Sequence, residues 1–287
     1  MAKFKKITII GVGLIGGSIG LAIRKKKIAT EVMGVFRHRS TMNKALKYGA
    51  VDKGTMDMKE GVKDARLVIL ATPVHSIPVL AAEASKFTKR GAIITDAGST
   101  KEWIVGEVEK VLGSTSETFF VGSHPMAGSE HTGVGFAKGN LFEDSPCIVT
   151  KTARTDRKAI AKVASFWKSL GGKVSIMSPV EHDRTVSLVS HLPHVVAFGL
   201  AGAVPGREMA VAAEGFKDTT RVASSDPELW ADIFLTNKKA ILKAGLMFER
   251  YYRDILKAIS KGDYRRTVRV LANAKSKRDR YIHGKEK

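Results

Sequence analysis

Short apolar runs alternate with segments of helical periodicity along the first part of the chain. The runs are rich in β-branched residues and predict buried strands, whereas the segments between them carry apolar residues at helical spacing. The predicted strands are 7–10, 32–36, 67–71, 92–95, 119–121, 147–150 and 173–177. Strands and helices in this alternation predict crossover connections and a mainly parallel sheet, with ligands bound at the carboxyl ends of the strands.

The pattern changes after Ser178 and Pro179, where predicted strands cease. Helical periodicity then covers 180–200, 227–260 and 264–281. We therefore predict an α/β fold, with an N-terminal Rossmann-type doubly wound sheet in residues 1–178 and an all-α C-terminal domain in residues 179–287. The many apolar faces of this short helical domain also predict a homodimer interface.

Composition is that of an ordinary globular protein, with 44% hydrophobic and 26% charged residues, which excludes disordered and collagen-like chains. The longest apolar-leaning stretch, Val195–Val204, is shorter than the ~20 residues that span a bilayer. The first residues lack the apolar core of a signal peptide. The single cysteine, Cys147, cannot form an internal disulfide or a thiolate metal cluster. These features predict a reduced, soluble, cytoplasmic protein without membrane contact.

The charge balance is unusual, because 48 Lys and Arg residues against 28 Asp and Glu residues give a net charge of +20. Such a field attracts anions, including nucleic acids and acidic substrates. The excess is spread over several segments and no aromatic-interleaved basic motif accompanies it, so a solvated basic surface is favoured over nucleic-acid binding. The charge itself stays without an explanation from the sequence.

A glycine-rich segment, Gly11-Val-Gly13-Leu-Ile-Gly16, follows the first predicted strand and opens the first helix. Glycines at this spacing allow a tight turn, close approach of backbone N–H groups to a pyrophosphate, and close packing of helix on strand. The helix N-terminus adds a partial positive charge for the phosphates. The predicted cofactor-binding residues here are Gly11, Gly13, Leu14, Ile15, Gly16, Thr72 and Pro73.

The end of the second strand distinguishes the two nicotinamide cofactors. An Asp or Glu about 20 residues after the glycines would bind the ribose 2′-hydroxyl of NAD. The sequence instead offers Arg37, Arg39 and Ser40, whose guanidinium and hydroxyl groups suit a 2′-phosphate. NADP is therefore the predicted cofactor, although NAD stays possible and the arginines could also be plain solvated loop cations.

Four further segments carry a resemblance to a known family. They are Asp96-Ala-Gly-Ser99-Thr-Lys101, Gly122-Ser-His124-Pro-Met-Ala-Gly128-Ser-Glu130, Ser190-His191-Leu-Pro-His194, and residues 215–221 with 225–230. Together with the glycine segment, and in this order, they resemble the prephenate/arogenate dehydrogenases of tyrosine biosynthesis over nearly the whole chain. The resemblance implies oxidative decarboxylation of prephenate to 4-hydroxyphenylpyruvate. Arogenate, with an alanyl side chain, would give tyrosine directly.

His124 and Ser99 are the predicted catalytic residues. His124 follows a predicted strand, and a neutral imidazole there could accept the proton of the C4 hydroxyl as hydride leaves that carbon. In the family, the serine matched by Ser99 hydrogen-bonds the reacting hydroxyl. Capping of the helix predicted to begin at Thr100 is the alternative role of this serine.

Five residues are predicted to bind the substrate, and for most of them a structural alternative stands beside the functional one. Arg221 offers a planar fork to a carboxylate, and in the family this arginine holds the ring carboxylate. Glu130 and Asp183 match acids that form an ionic network with it, with ordinary surface charge as the alternative. His194 matches a histidine near the substrate side chain. Trp230 matches an aromatic of the same pocket, with a packed interface tryptophan as the alternative.

His191 and His194 could also form a metal pair, since residues three apart share a helix face. No third ligand lies at a zinc-site spacing, so no metal is predicted and His191 is interpreted as a core residue. Pro193 between them predicts a kink, because it removes a backbone donor. A β-hydroxyacid dehydrogenase would need a lysine-centred base in the helical domain, which the sequence does not offer. A nucleotide sensor or nucleic-acid binder would leave His124 and Arg221 unexplained.

Overall fold

The structure, a computed structural model, describes residues 4–113, 117–129 and 131–284. The strands are β1 Phe4–Ile10, β2 Ala29–Val35, β3 Lys53–Thr55, β4 Leu67–Leu70, β5 Ile93–Asp96, β6 Phe119–Val121, β7 Ser123–Pro125, β8 Pro146–Thr150 and β9 Lys173–Met177. The first six helices are α1 Leu14–Lys25, α2 Arg39–Lys47, α3 Met58–Val62, α4 Ile77–Ser85, α5 Glu102–Leu112 and α6 Arg157–Ser169. The others are α7 Pro179–Val186, α8 Leu192–Ala203, α9 Glu214–Thr220, α10 Pro227–Thr236, α11 Lys238–Ser260 and α12 Tyr264–His283.

The first six strands form one parallel sheet in the order β3-β2-β1-β4-β5-β6. Its central strands are buried on both faces, as their unbroken apolar sequences require; all four residues of β4 are buried. The strand order reverses direction between β1 and β4, and the loops at their carboxyl ends open there into a crevice. The predicted fold class, a Rossmann-type sheet followed by helices, is confirmed.

The last three strands do not join this sheet, contrary to the single sheet that the alternation suggests. They form a separate sheet in the order β7-β8-β9, in which β7 is antiparallel to β8 and β8 is parallel to β9. One residue, Gly122, separates β6 from β7, and a Cβ there would meet Thr150 Oγ1 at 2.5 Å. The chain therefore passes from one sheet to the next within one residue, which places His124 on the small sheet. The sequence also does not predict β3, whose Lys-Gly-Thr sequence lacks a strand pattern.

Residues 179–203 form one helical run, in which a π-helical turn, Ser187–His191, joins α7 to α8. Pro193 lies just after this turn. Proline lacks the backbone N–H that a regular helix uses as a donor, and the wider π-helical turn ends next to the position where that donor is missing. The run is long and apolar enough by composition to cross a membrane, so the expectation that no segment reaches that length is wrong. Only 22% of its most apolar 18-residue window is buried, while three buried polar side chains on the run, His182, Asp183 and His191, bind other parts of the protein.

The chain divides into two compact units, residues 1–238 and residues 239–287. The second unit holds the helices α11 and α12, where Arg266 pairs with Asp254 at 3.8 Å and the Lys277 ammonium lies 5.0 Å from the centre of the Tyr251 ring. The first unit holds both sheets and the helices up to α10. The domain boundary at residue 178 stays a prediction.

Candidate active site

A cleft of about 570 Å³ opens at the carboxyl ends of β1, β4 and β5. It is lined by the start of α1, the segments that follow β4 and β5, residues 124–129 and 131–133, and residues of the helical region. Of the predicted site residues, those that line it are Gly13, Leu14, Ile15, Thr72, Pro73, Ser99, His124, His194, Arg221 and Trp230. The structure therefore brings predicted cofactor, catalytic and substrate residues to one cavity.

Residues 11–16, which we call the glycine loop, have the geometry that a pyrophosphate requires. Gly11 has a φ of +88°, and a Cβ there would lie 2.6 Å from the Ala71 carbonyl oxygen. A Cβ on Gly16 would lie 2.0 Å from the Gly11 carbonyl oxygen, so a glycine here allows the two ends of the loop to approach each other. Gly13 is different, since open space surrounds its missing Cβ. That space, at the N-terminus of a helix with no acidic residue in its first turn, suits a phosphate.

Arg37, Arg39 and Ser40 lie just beyond the carboxyl end of β2, beside β1. All three side chains are exposed, and none of them is among the described residues that line the cleft. Arg39 and Ser40 open helix α2, so a phosphate there would also meet a helix N-terminus. Cations and a hydroxyl thus stand where an acid would select NAD.

His124 occupies the middle of β7 and is 7% exposed, toward the cleft that it lines. Its Nδ1 lies 2.8 Å from Nε2 of His182, a residue that the sequence analysis does not identify. Nδ1 of His182 lies in turn 2.6 Å from Oδ1 of Asp183. His182 and Asp183 are fully buried. We call these three residues the histidine cluster.

Asp183 lies beneath the cleft and, among the described residues, is absent from its lining. Its carboxylate accepts hydrogen bonds from the backbone N–H groups of Lys101, at 2.7 Å, and Glu102, at 3.0 Å. It therefore caps α5 and holds His182. The aspartate is 1% exposed, so the alternative of an ordinary surface charge is wrong, while its place in an ionic network with Arg221 stays a prediction.

A buried ion pair lies next to the cluster. The Lys101 ammonium contacts Oδ2 of Asp96 at 2.5 Å, and both side chains are fully buried. Oδ1 of Asp96 accepts the backbone N–H of Ser123, the residue before His124, at 3.0 Å. The ion pair thus fixes the strand that carries His124. Removal of either partner would leave a charge without compensation in the interior.

Burial determines the protonation states here. It holds the pKa of His124 and of His182 well below the usual range, and the nearby Lys101 cation acts in the same direction. Burial raises the pKa of Asp183 and of Asp96, while their hydrogen-bond donors and Lys101 oppose that rise. His124 and His182 are therefore neutral at neutral pH. A neutral imidazole can accept a proton, as a general base must.

Ser99 lines the cleft after β5. Helix α5 begins at Glu102, and its N-terminal N–H groups are satisfied by Asp183. The alternative role of Ser99 as the cap of that helix is therefore wrong. Ser99 and His124 line the same cavity.

The opposite wall of the cleft carries Arg221, His194 and Trp230. The His194 and Trp230 rings stack at a centroid distance of 3.5 Å, and Trp230 is nearly buried. His194 Nδ1 lies 2.9 Å from the Ser190 carbonyl oxygen, so Nδ1–H donates and Nε2 keeps a lone pair. Burial lowers the pKa of His194, and the Arg221 charge contributes. Glu130, the remaining predicted member of this set, lies outside the described residues.

His191 is a core residue, as interpreted from the sequence. Its Nδ1 lies 3.1 Å from the side-chain nitrogen of Asn237, and burial lowers its pKa to about 4. Its ring meets Trp230 edge-on at 6.0 Å between centroids. Within the described part of the chain, no cluster of three or more His, Cys, Asp or Glu residues could hold a metal ion.

Comparisons with known proteins agree with this arrangement. The family model for the nucleotide-binding domain of prephenate dehydrogenase matches residues 19–176, and that for its dimerization domain matches residues 178–273. A prephenate dehydrogenase of Bacillus subtilis is 38% identical over 283 residues, which cover 95% of this chain and 75% of that protein.

Two solved structures are similar over almost their full lengths. The prephenate dehydrogenase of Aquifex aeolicus, in complex with hydroxyphenyl propionate and NAD+, has a TM-score of 0.90 at 34% identity and covers 98% of this chain and 99% of its own. The arogenate dehydrogenase of Synechocystis has a TM-score of 0.80 at 30% identity and covers 96% of this chain and 99% of its own.

Proposed function

The chain belongs to the prephenate dehydrogenase family, and on that premise we propose that it converts prephenate to 4-hydroxyphenylpyruvate and carbon dioxide in tyrosine biosynthesis. The observation that carries the proposal is the shared cleft. Residues 13–15 of the glycine loop, the buried His124 and Arg221 all line one cavity. Such a cavity can hold a dinucleotide, a hydroxyl to be oxidised and a carboxylate side by side.

The cleft fits a nicotinamide dinucleotide. Gly13 leaves room for the pyrophosphate, and the first turn of α1 offers backbone N–H groups from Leu14 onward. When bound, the nicotinamide accepts the hydride that leaves C4 of the substrate. Thr72 and Pro73, after β4, complete the wall on this side.

Within this family, NADP is our preferred cofactor for the chain. Arg37 and Arg39 can form charge-assisted bonds to a 2′-phosphate, and the exposed Ser40 can donate a further one. Residues 36–41 include no acid that would repel that phosphate. The NAD+ complex of the Aquifex protein makes NAD the alternative.

His124 is the proposed base. The neutral ring accepts the C4 hydroxyl proton, which drives electron density toward the carbon that loses hydride. Ser99, on the same cavity, donates or accepts a second hydrogen bond at that oxygen. Arg221 binds the ring carboxylate, and His194 with Trp230 frames the side chain. The carboxylate must leave as neutral carbon dioxide, so its bond to Arg221 cannot be the dominant ground-state interaction.

Arogenate is the second candidate substrate, because a solved arogenate dehydrogenase shares the fold over nearly its whole length. The two substrates differ only at the side chain, an alanyl group in one and a pyruvyl group in the other. His194 and Trp230 are the proposed contacts at that end. A neutral histidine beside Arg221 suits the pyruvyl group, which carries no ammonium.

We also propose that the chain forms a homodimer in the cytoplasm. The family model over residues 178–273 describes a dimerization domain, and the helical run 179–203 exposes Val189, Val195 and Leu200. A second copy would cover such side chains. Small anionic substrates, rather than nucleic acids, are the proposed partners of the basic surface.

Steady-state kinetics with prephenate and arogenate, each against NADP and NAD, test the function. We expect the highest kcat/KM for prephenate with NADP. Replacing Arg37 with Asp and Arg39 with Ser removes bonds worth about 1.5–3 kcal/mol each and shifts preference toward NAD. Lys47→Ser, which removes a charge from the far end of α2, is the matched control. An unchanged cofactor ratio in the double variant contradicts the NADP assignment.

A further inference from the structure

We propose that His182 is a positioning residue which, together with Asp183, fixes the tautomer of His124 and shares the positive charge that His124 acquires during the reaction. The proposal rests on the function proposed above. It concerns a residue without a place in the cleft, since His182 is fully buried behind His124.

The hydrogen bonds of Asp183 determine which nitrogen of His182 donates and which accepts. Its carboxylate accepts from two backbone N–H groups, those of Lys101 and Glu102, and backbone N–H groups can only donate. An ionised carboxylate that accepts from these groups also accepts from Nδ1–H of His182 at 2.6 Å. His182 therefore carries its proton on Nδ1 and presents a lone pair at Nε2.

The tautomer of His124 follows from that of His182. Nε2 of His182 accepts, so Nδ1–H of His124 donates across the 2.8 Å contact. The lone pair of His124 is then on Nε2, the nitrogen that does not contact His182. The opposite tautomer of His124 would place two lone pairs face to face in the protein interior. Asp183 thus selects, through His182, the tautomer that can act as a base.

The proton balance of the reaction agrees with the burial of these hydrogen bonds, from His124 through His182 to Asp183. The C4 hydroxyl proton moves to His124, hydride leaves C4 and carbon dioxide leaves C1, so the ring becomes aromatic with a phenolate oxygen. The same oxygen then takes back one proton to give the phenol. Prephenate carries two negative charges and the product one, and the hydride neutralises one cofactor charge, so no proton is released overall. The base must therefore hold a proton for a short time and return it.

The histidine cluster suits that task. When Nε2 of His124 gains a proton, the charge can be shared through His182 toward the Asp183 carboxylate, with all three residues buried or nearly so. Beyond Asp183 the partners are backbone N–H groups of α5, which do not carry a proton onward. The Lys101 cation nearby is compensated by Asp96 at 2.5 Å, which limits its repulsion of the imidazolium. These hydrogen bonds therefore allow His124 to hold the proton for a short time and to return it.

Two substitutions of His182 separate its role in fixing the tautomer of His124 from its role in sharing the positive charge. His182→Gln can place its amide oxygen near the former Nε2 and accept the His124 Nδ1–H, although it cannot take up charge. His182→Asn is shorter, reaches only the former Nδ1 position, and keeps the bond to Asp183 while it loses the bond to His124. We expect the asparagine variant to lose roughly 100- to 10,000-fold in kcat, and the glutamine variant about 10-fold, with the KM values of both ligands nearly unchanged.

Nitrogen-15 NMR of the histidine rings provides a readout that a structural role would not move. We expect His124 to carry its proton on Nδ1 in the wild type and in His182→Gln, and to redistribute it to Nε2 in His182→Asn. A thermal melt checks that both variants fold. A wild-type His124 protonated on Nε2, or a folded His182→Asn variant with wild-type kcat, would overturn the proposal. Absence of prephenate oxidation by the wild type would instead refute the proposed function, whatever the tautomer.

Discussion

The glycine loop and the histidine cluster both serve one cleft, which the cluster reaches through His124 alone, but the loop is built from backbone and the cluster from side chains. The loop is contiguous, residues 11–16, and works through the positive φ of Gly11 and the open space at Gly13. The cluster joins β7 to α7 across 58 positions of sequence, through the contact of His124 with His182. It depends on burial as much as on residue type.

This difference assigns cofactor binding to the glycine loop and the chemical step to the histidine cluster. A backbone site is damaged by added bulk at a glycine and tolerates many changes elsewhere. A buried side-chain site is damaged by loss of a single donor or acceptor, because the partner is left unsatisfied. Substitutions in the cluster should therefore lower turnover and spare the cofactor, while substitutions in the loop should weaken the cofactor and spare the chemistry.

The largest effect is expected at His124. His124→Asn keeps a hydrogen-bonding side chain but cannot take a proton at working pH, so kcat should fall by roughly 100- to 10,000-fold. Cofactor titration, followed by nicotinamide fluorescence, should show an unchanged dissociation constant. A variant with native turnover would mean that another residue is the base.

A smaller effect is expected at the substrate wall. Arg221→Ala removes a charge-assisted bond worth about 1.5–3 kcal/mol, so the KM for prephenate should rise by roughly 10- to 150-fold. Cofactor affinity should stay the same, because the glycine loop is intact. Arg207→Ala, at an exposed arginine beside Glu208, is the matched control. If the Arg207 variant shows the larger rise in KM, the carboxylate is held there instead.

The smallest effect is expected in the glycine loop. Gly13→Ala adds a Cβ in open space, so the protein should fold normally, while the methyl group meets the pyrophosphate and weakens cofactor binding by about 10-fold. Gly106→Ala, inside α5 and also with open space around the added Cβ, should leave the cofactor affinity unchanged. It should stabilise the fold by about 0.4–1 kcal/mol. Equal cofactor affinities in the two variants would contradict the assignment of the loop.

Sequence pattern predicted the elements whose information is local. Continuous apolar runs identified the central strands, and the glycine spacing identified the loop, because both signals lie within a few residues. The resemblance supplied His124, Ser99 and Arg221, which all line the cleft. The small second sheet was not predicted, since His124 itself forms part of β7 and its sequence carries no strand pattern.

The supporting role of the cluster could not be predicted from the sequence, which did not indicate His182 at all and indicated Asp183 only as a substrate-binding acid. His182 and Asp183 are neighbours in the chain, but their meaning depends on the contact with His124 and with the N-terminus of α5. Lys101 lay within a motif that was identified, yet nothing local indicated that the side chain is fully buried against Asp96. Burial and long-range contact are properties of the folded chain, and they set the protonation of the base.

The protonation of His124 is open to one direct measurement, the pH dependence of hydride transfer in a single turnover of the wild type with both ligands saturating. An unperturbed histidine titrates near pH 6.5. Because burial holds the pKa of His124 well below that range, the base stays neutral as the pH falls. We predict a rate that is constant from about pH 8 to below 6.5 and declines only at lower pH. A decline with its midpoint at 6.5 or above would contradict the account of a buried, neutral base.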